Sequence, residues 1–403
     1  MAAVADAGPT RPHRALVACF SLPRSTMRPH QPDPATLLTM SGAAVVYHLY
    51  DIGYAINLDR LDALFSPDAS ARRRPERSEA QALQIANPPV TIALGARSLS
   101  VDAVTCDAQL SAHFFDFGVC SLQLEVTTPE TLEWGAFVEF ARALDRSAAV
   151  TTLIDAELDV LRARVASSIE RAGLAPVSEE YTVFRLSVLR DGHGSPADPH
   201  AVLTNERLAP LLLGEPRALA PSALRDLLHH RFSYYADDLV VLAWEKALVL
   251  EPSASDRDVE YILEFANAQL LELRVYDAVL DAELPVMYDQ VADARRRSRP
   301  LPTRRFQEVL SRLQTRVADV TETVERAENA LKVTDDVYLA RVYGAALELF
   351  RVSAWRRGIE RKLDIVRSTY GMLNGEAQSA RSELLEIAVI VLIVVEVVLG
   401  FFH

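Results

Sequence analysis

Between residues 41 and 251 the apolar positions switch repeatedly between period two and period 3.6, the signatures of strand and helix. Residues 45–57 begin strand-like and run into a helical stretch over 58–65. Residues 90–94 and 98–104 read as short strands. Residues 109–115 and 119–126 flank Asp116-Phe117-Gly118, a hairpin signal. Helices are expected over 131–144 and 152–172, then a strand over 181–189. Asp191-Gly192-His193-Gly194-Ser195-Pro196 is loop chemistry, and 222–229 is helical. Residues 239–244 and 247–250 form a second hairpin across Glu245-Lys246. Residues 71–81, with Arg72, Arg73, Arg74 and Arg77, read as a loop or linker. This order predicts an α+β N-terminal domain over 41–252, without repeated βαβ units.

After Pro252 the strand signals stop. Val259, Ile262, Ala266, Gln269, Leu273, Tyr276, Leu280 and Leu284 recur at three-four spacing as far as Pro285. Phe306, Leu310, Leu313, Val317, Val320, Val324, Ala327 and Leu331 keep a four-three alternation, and a similar series runs from Leu339 to Leu373. Such spacing predicts long antiparallel coiled-coil-like helices, a stalk over 256–380. Thr334-Asp335-Asp336 supplies N-cap chemistry for its last helix.

Residues 384–402 are apolar except for Glu386 and Glu396. As a helix this run would span about 28 Å, close to the hydrocarbon thickness. It predicts one C-terminal transmembrane helix, single-pass, with the bulk of the chain in the cytoplasm, at a bacterial inner membrane. Glu386 and Glu396 are then polar residues of the anchor, and a carboxylate in lipid calls for a partner. Val389, Leu392, Ile393 and Gly400 share a face with Glu396, which predicts self-association. Burial in a protein interface is the other reading of this run. Arg295, Arg296, Arg297, Arg299, Arg304 and Arg305 form a basic cluster with no acid among them. Membrane lipid, RNA phosphate and a plain solvated loop all remain open as its surroundings.

Composition narrows the rest. The chain has 403 residues, so two domains plus extras are expected. A net charge of −13 argues against nucleic-acid binding by general phosphate attraction. Cys19, Cys106 and Cys120 have no CxxC spacing, which excludes a disulfide scaffold or zinc knuckle. Residues 1–40 are Pro-rich and lack a sustained apolar period. They read as a disordered extension, a mis-assigned start before Met40, or a transit peptide.

Catalytic chemistry is hard to find. HExxH, GxxxxGK[ST], GxSxG and GxGxxG are all missing from the sequence. Asp116-Phe117-Gly118 matches a kinase triplet without its catalytic loop, and a turn explains it better. His113 beside Asp116, His229-His230 at a helix end and Asp237-Asp238 before a strand all have ordinary structural readings. Glu264, Asn267, Gln269, Glu272 and Arg274 sit on a helix that is apolar around most of its girth, where a mutually satisfied packing network is expected. The sequence therefore points to no catalytic, cofactor-binding or metal residues and to no small-molecule substrate. Gly371-Met372-Leu373-Asn374 offers only an architectural analogy to CorA-like ion-transport proteins.

From Asp238 onward the residues resemble a known family. Asp238-Leu239-Val240-Val241, Glu264-Phe265-Ala266-Asn267-Ala268-Gln269-Leu270-Leu271-Glu272-Leu273-Arg274, Asp335-Asp336-Val337-Tyr338 and Ser382-Glu383-Leu384-Leu385-Glu386 are similar to the required-for-meiotic-nuclear-division family. That resemblance implies no established catalytic residues and, for mitochondrial members, support of translation at the inner membrane. The function expected is a membrane-anchored, non-enzymatic scaffold or adaptor. An RNA- or ribosome-tethering adaptor and an enzyme with an unrecognised site are the alternatives.

Overall fold

The structure is a computed structural model describing residues 37–65, 72–73, 84–85, 87–101, 104–128, 131–253, 255–296, 331–332 and 336–401. The chain begins with β1 (Leu38–Asp51), β2 (Ala55–Ile56), α1 (Leu58–Phe65), β3 (Arg72–Arg73) and β4 (Gln84–Ile85). There follow β5 (Val90–Val101), β6 (Val104–Phe114), β7 (Val119–Thr127), β8 (Leu132–Glu133), α2 (Trp134–Asp145) and α3 (Ala148–Val165). Next come β9 (Ile169–Glu170), β10 (Ser178–Asp191), α4 (Asn205–Leu208), α5 (Pro221–Leu227), β11 (Arg231–Phe232), β12 (Leu239–Leu242) and β13 (Lys246–Leu250). The last part holds α6 (Asp258–Arg296), β14 (Leu331–Lys332), α7 (Val337–Leu349) and α8 (Val352–Phe401).

A ten-stranded sheet organises these elements, in the order β11-β12-β13-β10-β1-β7-β6-β5-β3, with β8 paired to β1 off this path. β1 pairs antiparallel with both β7 and β10, whereas β10 and β13 run parallel. Because β1 is covered on both faces, it reads as a nearly continuous apolar run rather than a strict alternation. Ala44 and Val46 point into one core with α1, α2, α3 and the α4–α5 region. Val45, Tyr47 and Leu49 point into a second core with α6, α7 and α8. The result is a mixed α/β body of three layers, helices on both faces of one sheet.

Two glycines permit close backbone approaches that hold the sheet together. At the β1 bulge, a Cβ on Gly42 would lie 1.9 Å from the Arg185 carbonyl oxygen of β10. In the β6–β7 turn, Gly118 has φ +103°, and its Cβ would lie 1.9 Å from the Gly53 carbonyl oxygen.

The expected architecture is corrected here. Residues after 252 do not build a free-standing coiled-coil stalk. Leu263, Phe265, Ala266, Leu270, Val342, Ala346, Ile359 and Leu363 belong to the same core as the sheet residues Val45, Tyr47 and Leu49. α6 continues through Pro285 to Arg296 instead of ending there. The expected continuous helix over 339–373 breaks between α7 and α8, where Arg351 adopts φ +53°. The helix expected over 306–331 lies outside the described residues except for Leu331 in β14.

The transmembrane expectation is also corrected. Among the described residues no helix is long and apolar enough to cross a membrane. The C-terminal apolar run lies on α8, which extends over Val352–Phe401. It also carries Glu386 and Glu396. The single-pass anchor, and the membrane location inferred from it, fall with this finding.

Candidate binding cleft

α6 lays a row of polar residues on the sheet. On the strand side, Glu125 of β7 and Arg185 of β10 project from the same sheet face. Arg185 pairs with Glu125 and donates to Glu260 of α6 at 3.4 Å. Arg257, just ahead of α6, donates to Glu125 at 2.8 Å and lies 3.7 Å from Glu260. Burial pushes the Glu125 carboxyl up, but Arg257 and Arg185 outweigh it and hold the group below the usual carboxylate range. Glu260 shares the same cations, yet burial wins and its carboxyl is raised. The difference follows from exposure and reach. The Glu260 side chain is 3% exposed against 20% for Glu125, and its contacts are longer.

One turn along α6, both oxygens of the Glu264 carboxylate approach Nδ1 of His113, at 2.9 and 2.8 Å. Ser121 faces His113 across the β6–β7 pair. The three side chains form a Ser–His–carboxylate row, but Ser121 is completely buried and its Oγ has no hydrogen-bond partner. A nucleophile with no accessible surface cannot meet a substrate, so the row is internal architecture. Asn267 donates to the Leu263 carbonyl, the Tyr343 hydroxyl donates to Gln269, and Arg274 pairs with Glu179. Through Glu264, Gln269 and Arg274 the polar positions of α6 tie the helix to the sheet and to α7.

The concave feature lies at the other end of this network, where the β11–β12 turn meets the starts of α6 and α7. It encloses about 110 Å³ and is lined by Tyr234, Tyr235, Tyr338, Asp238, Asp258 and Asp336 among others. The Tyr234 ring stands perpendicular to Tyr235, with centroids 4.8 Å apart, and lies 5.4 Å from Tyr338. Tyr234 and Tyr235 are 61% and 66% exposed, so their faces are available.

Most carboxylates here also serve the backbone. Asp238 accepts from the Tyr234 N–H at 2.8 Å, and Glu251 accepts from Ser253 N–H at 2.8 Å. Asp256 accepts from Asp258 N–H at 3.1 Å. Asp336 caps α7 by accepting from Tyr338 and Leu339 N–H groups at 2.7 and 3.2 Å. Crowding them together has a cost. Burial, and then Asp256 and Asp336, push the Asp258 carboxyl up to about 6. Burial and neighbouring carboxylates likewise raise Glu251. Asp238 is raised by burial, only partly offset by its backbone bonds. Arg257 also lines the cleft, but its guanidinium is engaged by Glu125 and Glu260.

The cleft brings aromatic faces and carboxylates together. Its volume is well below the roughly 300 Å³ where small-molecule pockets begin, and suits a single ammonium or guanidinium head group. Among the described residues no group of three or more His, Cys, Asp or Glu has an arrangement fit to hold a metal ion.

The residues singled out from sequence fall elsewhere. Arg297, Arg299, Arg304 and Arg305 lie outside the described residues, and Arg295 and Arg296 end α6 with side chains that are not described. Glu386 and Glu396 sit on α8, both exposed. Asp116, in the turn after His113, accepts from Asn87 at 3.1 Å, while His113 faces Glu264. Sequence reasoning treated Asp237-Asp238 as turn chemistry, which Asp238 is. The aromatic side of the cleft went unnoticed, because Tyr234 and Tyr338 are far apart in the chain. The adjacent pair Tyr234-Tyr235 before Asp237-Asp238 was the available signal.

Comparison with known proteins replaces the expected family. The profile of the family described as uncharacterized protein MJ0711, N-terminal domain, matches residues 41–256. The chain is similar to uncharacterized protein MJ0711 of Methanocaldococcus jannaschii, 23% identical over 222 residues. That alignment covers 55% of this chain and 66% of the relative, just under two thirds of its length. No solved structure matches the chain. The resemblance to the required-for-meiotic-nuclear-division family is overturned by these matches. With more than half of its length matched by one profile, the chain belongs to the MJ0711 N-terminal domain family.

Proposed function

We propose that this protein is a non-enzymatic adaptor that captures a positively charged side chain of a partner protein, lysine or arginine, in the tyrosine-walled acidic cleft. The observation that carries this reading is the meeting of Tyr234, Tyr235 and Tyr338 with Asp258, whose carboxyl is raised to about 6. An aromatic face attracts a cation by its quadrupole, and crowded carboxylates are relieved by one. The inward-facing polar groups support binding over catalysis, since they are engaged with one another.

Calorimetric titration with paired peptides tests this. A peptide with exposed Lys and Arg binds, and its counterpart with acetyl-lysine and citrulline does not. Tyr338→Ala together with Asp258→Asn weakens the cationic peptide about tenfold, the loss of one cation–π contact and one charge. Affinity rises from pH 5 to pH 7, because a bound cation favours the ionised Asp258 carboxyl among Asp238, Glu251, Asp256, Glu260, Asp336 and Arg257. Equal binding of both peptides would sink the reading.

A further inference from the structure

We propose that the cleft takes a lysine methylated twice, a dimethylammonium head whose one N–H is accepted by Asp258 and whose methyl groups rest on tyrosine faces. This rests on the cation-capturing reading above and names the chemical form of the captured side chain. Two features of the lining carry it, the angle between the rings and the supply of free acceptors. The Tyr234 and Tyr235 rings meet at 90° with centroids 4.8 Å apart, and Tyr338 adds a third ring, tilted 53° from Tyr234 at 5.4 Å. Rings set at an angle form a corner rather than a flat wall. A methylated ammonium spreads its positive charge over methyl groups that point in different directions, so a corner meets more than one of them at once. Tyr234 and Tyr235 are exposed, so the corner opens to solvent.

The carboxylates of the lining are unequally committed. Asp238, Glu251, Asp256 and Asp336 each accept from a backbone N–H, and Glu260 is engaged by Arg185 and Arg257. Asp258 lines the same cleft as the three rings, and within the described residues its carboxylate accepts no hydrogen bond. Burial, then Asp256 and Asp336, push that carboxyl up to about 6, so a cation placed there relieves it. A primary ammonium has three N–H donors, and a guanidinium five. Donors turned toward the rings lose water and gain no acceptor. A dimethylammonium keeps the charge and one N–H for Asp258, and it presents methyl groups to the rings. A trimethylammonium has no N–H to give.

The test titrates the full chain, with ring-labelled tyrosine, by NMR. The probes are N-acetyl-lysine methylamide and its mono-, di- and trimethyl forms. The dimethyl form binds about fivefold tighter than the unmodified one and about threefold tighter than the trimethyl one. A neutral isostere, with carbon in place of the trimethylammonium nitrogen, binds about tenfold more weakly than the trimethyl form. Asp258→Asn abolishes the preference for dimethyl over trimethyl. Tyr235→Ala abolishes the preference for dimethyl over unmodified lysine, and Tyr235→Phe retains it. Both Tyr235 variants unfold thermally like the parent chain, since this side chain is exposed. Tightest binding by any form other than the dimethyl, or equal binding of the charged forms, overturns this inference and leaves the cation-capturing reading standing. No binding by any charged form, or binding of the neutral isostere as tight as theirs, overturns both.

Discussion

Asp51 ends β1 with its side chain partly buried and its carboxylate accepting from the Gly53 N–H at 3.0 Å. Burial outweighs that bond and pushes the carboxyl up to about 6 from an ordinary 3.8. The folded chain therefore binds a proton more tightly here than the unfolded chain. Between about pH 4 and pH 6 this group subtracts stability as pH rises, and above pH 6 the penalty is constant. Asn at this position keeps the acceptor without the charge. Asp51→Asn is expected to stabilise the protein by on the order of 1–2 kcal/mol at pH 7 and to make no difference near pH 3. Urea unfolding at the two pH values checks it. The sequence placed Asp51 inside a strand-like segment, but nothing local says that Gly53 and Gly118 will press together beside it. Gly118 was legible as a turn residue. That its missing Cβ makes room for the Gly53 carbonyl depends on two hairpin ends meeting in space.

Elements show the same division more sharply. α6 was recognisable from its three-four apolar spacing, and its polar positions were readable as a packing network. Their partners were not. Glu260 finds Arg185, Glu264 finds His113 and Arg274 finds Glu179, all on strands remote in sequence. Cutting into this network exposes its cost. Arg185→Ala leaves Glu125 with Arg257 alone and Glu260 without its shorter ion-pair contact. It is expected to destabilise the fold by about 3–5 kcal/mol. Arg185→Ala with Glu260→Ala should lose less than the sum of the two single changes, as a double-mutant cycle by chemical denaturation would record. The helix break at Arg351 was invisible because the apolar spacing runs on across it. The reason is geometric. Phe350 is fully buried against Tyr181 and Trp244, and the chain turns there to start α8 in a new direction.

At the level of the whole molecule, one sheet with a core on each face accounts for the buried residues of both halves of the chain. Helices read from sequence as a separate stalk prove to be the third layer. The distal part of α8 lies beyond that body. A chain ending after residue 370 keeps every buried side chain of α8 among the described residues, the last being Val366. Its thermal midpoint is expected to stay within about 2 °C of the full chain. A larger drop would mean that the distal helix folds back on the body. The cleft belongs to this scale too, since it needs the β11–β12 turn and two helix starts to converge.

By itself the amino-acid order determined what depends on near neighbours. The hairpins around Asp116-Phe117-Gly118 and Glu245-Lys246, the Asp336 cap and the apolar period of α6 are set by interactions within a few residues. The tertiary structure decided which face each helix covers, which carboxylate meets which cation, and where tyrosines from two ends of the chain form one wall. Those outcomes rest on contacts between distant segments. Period and propensity describe only the surface a segment offers, and the sheet selects the surface that covers it.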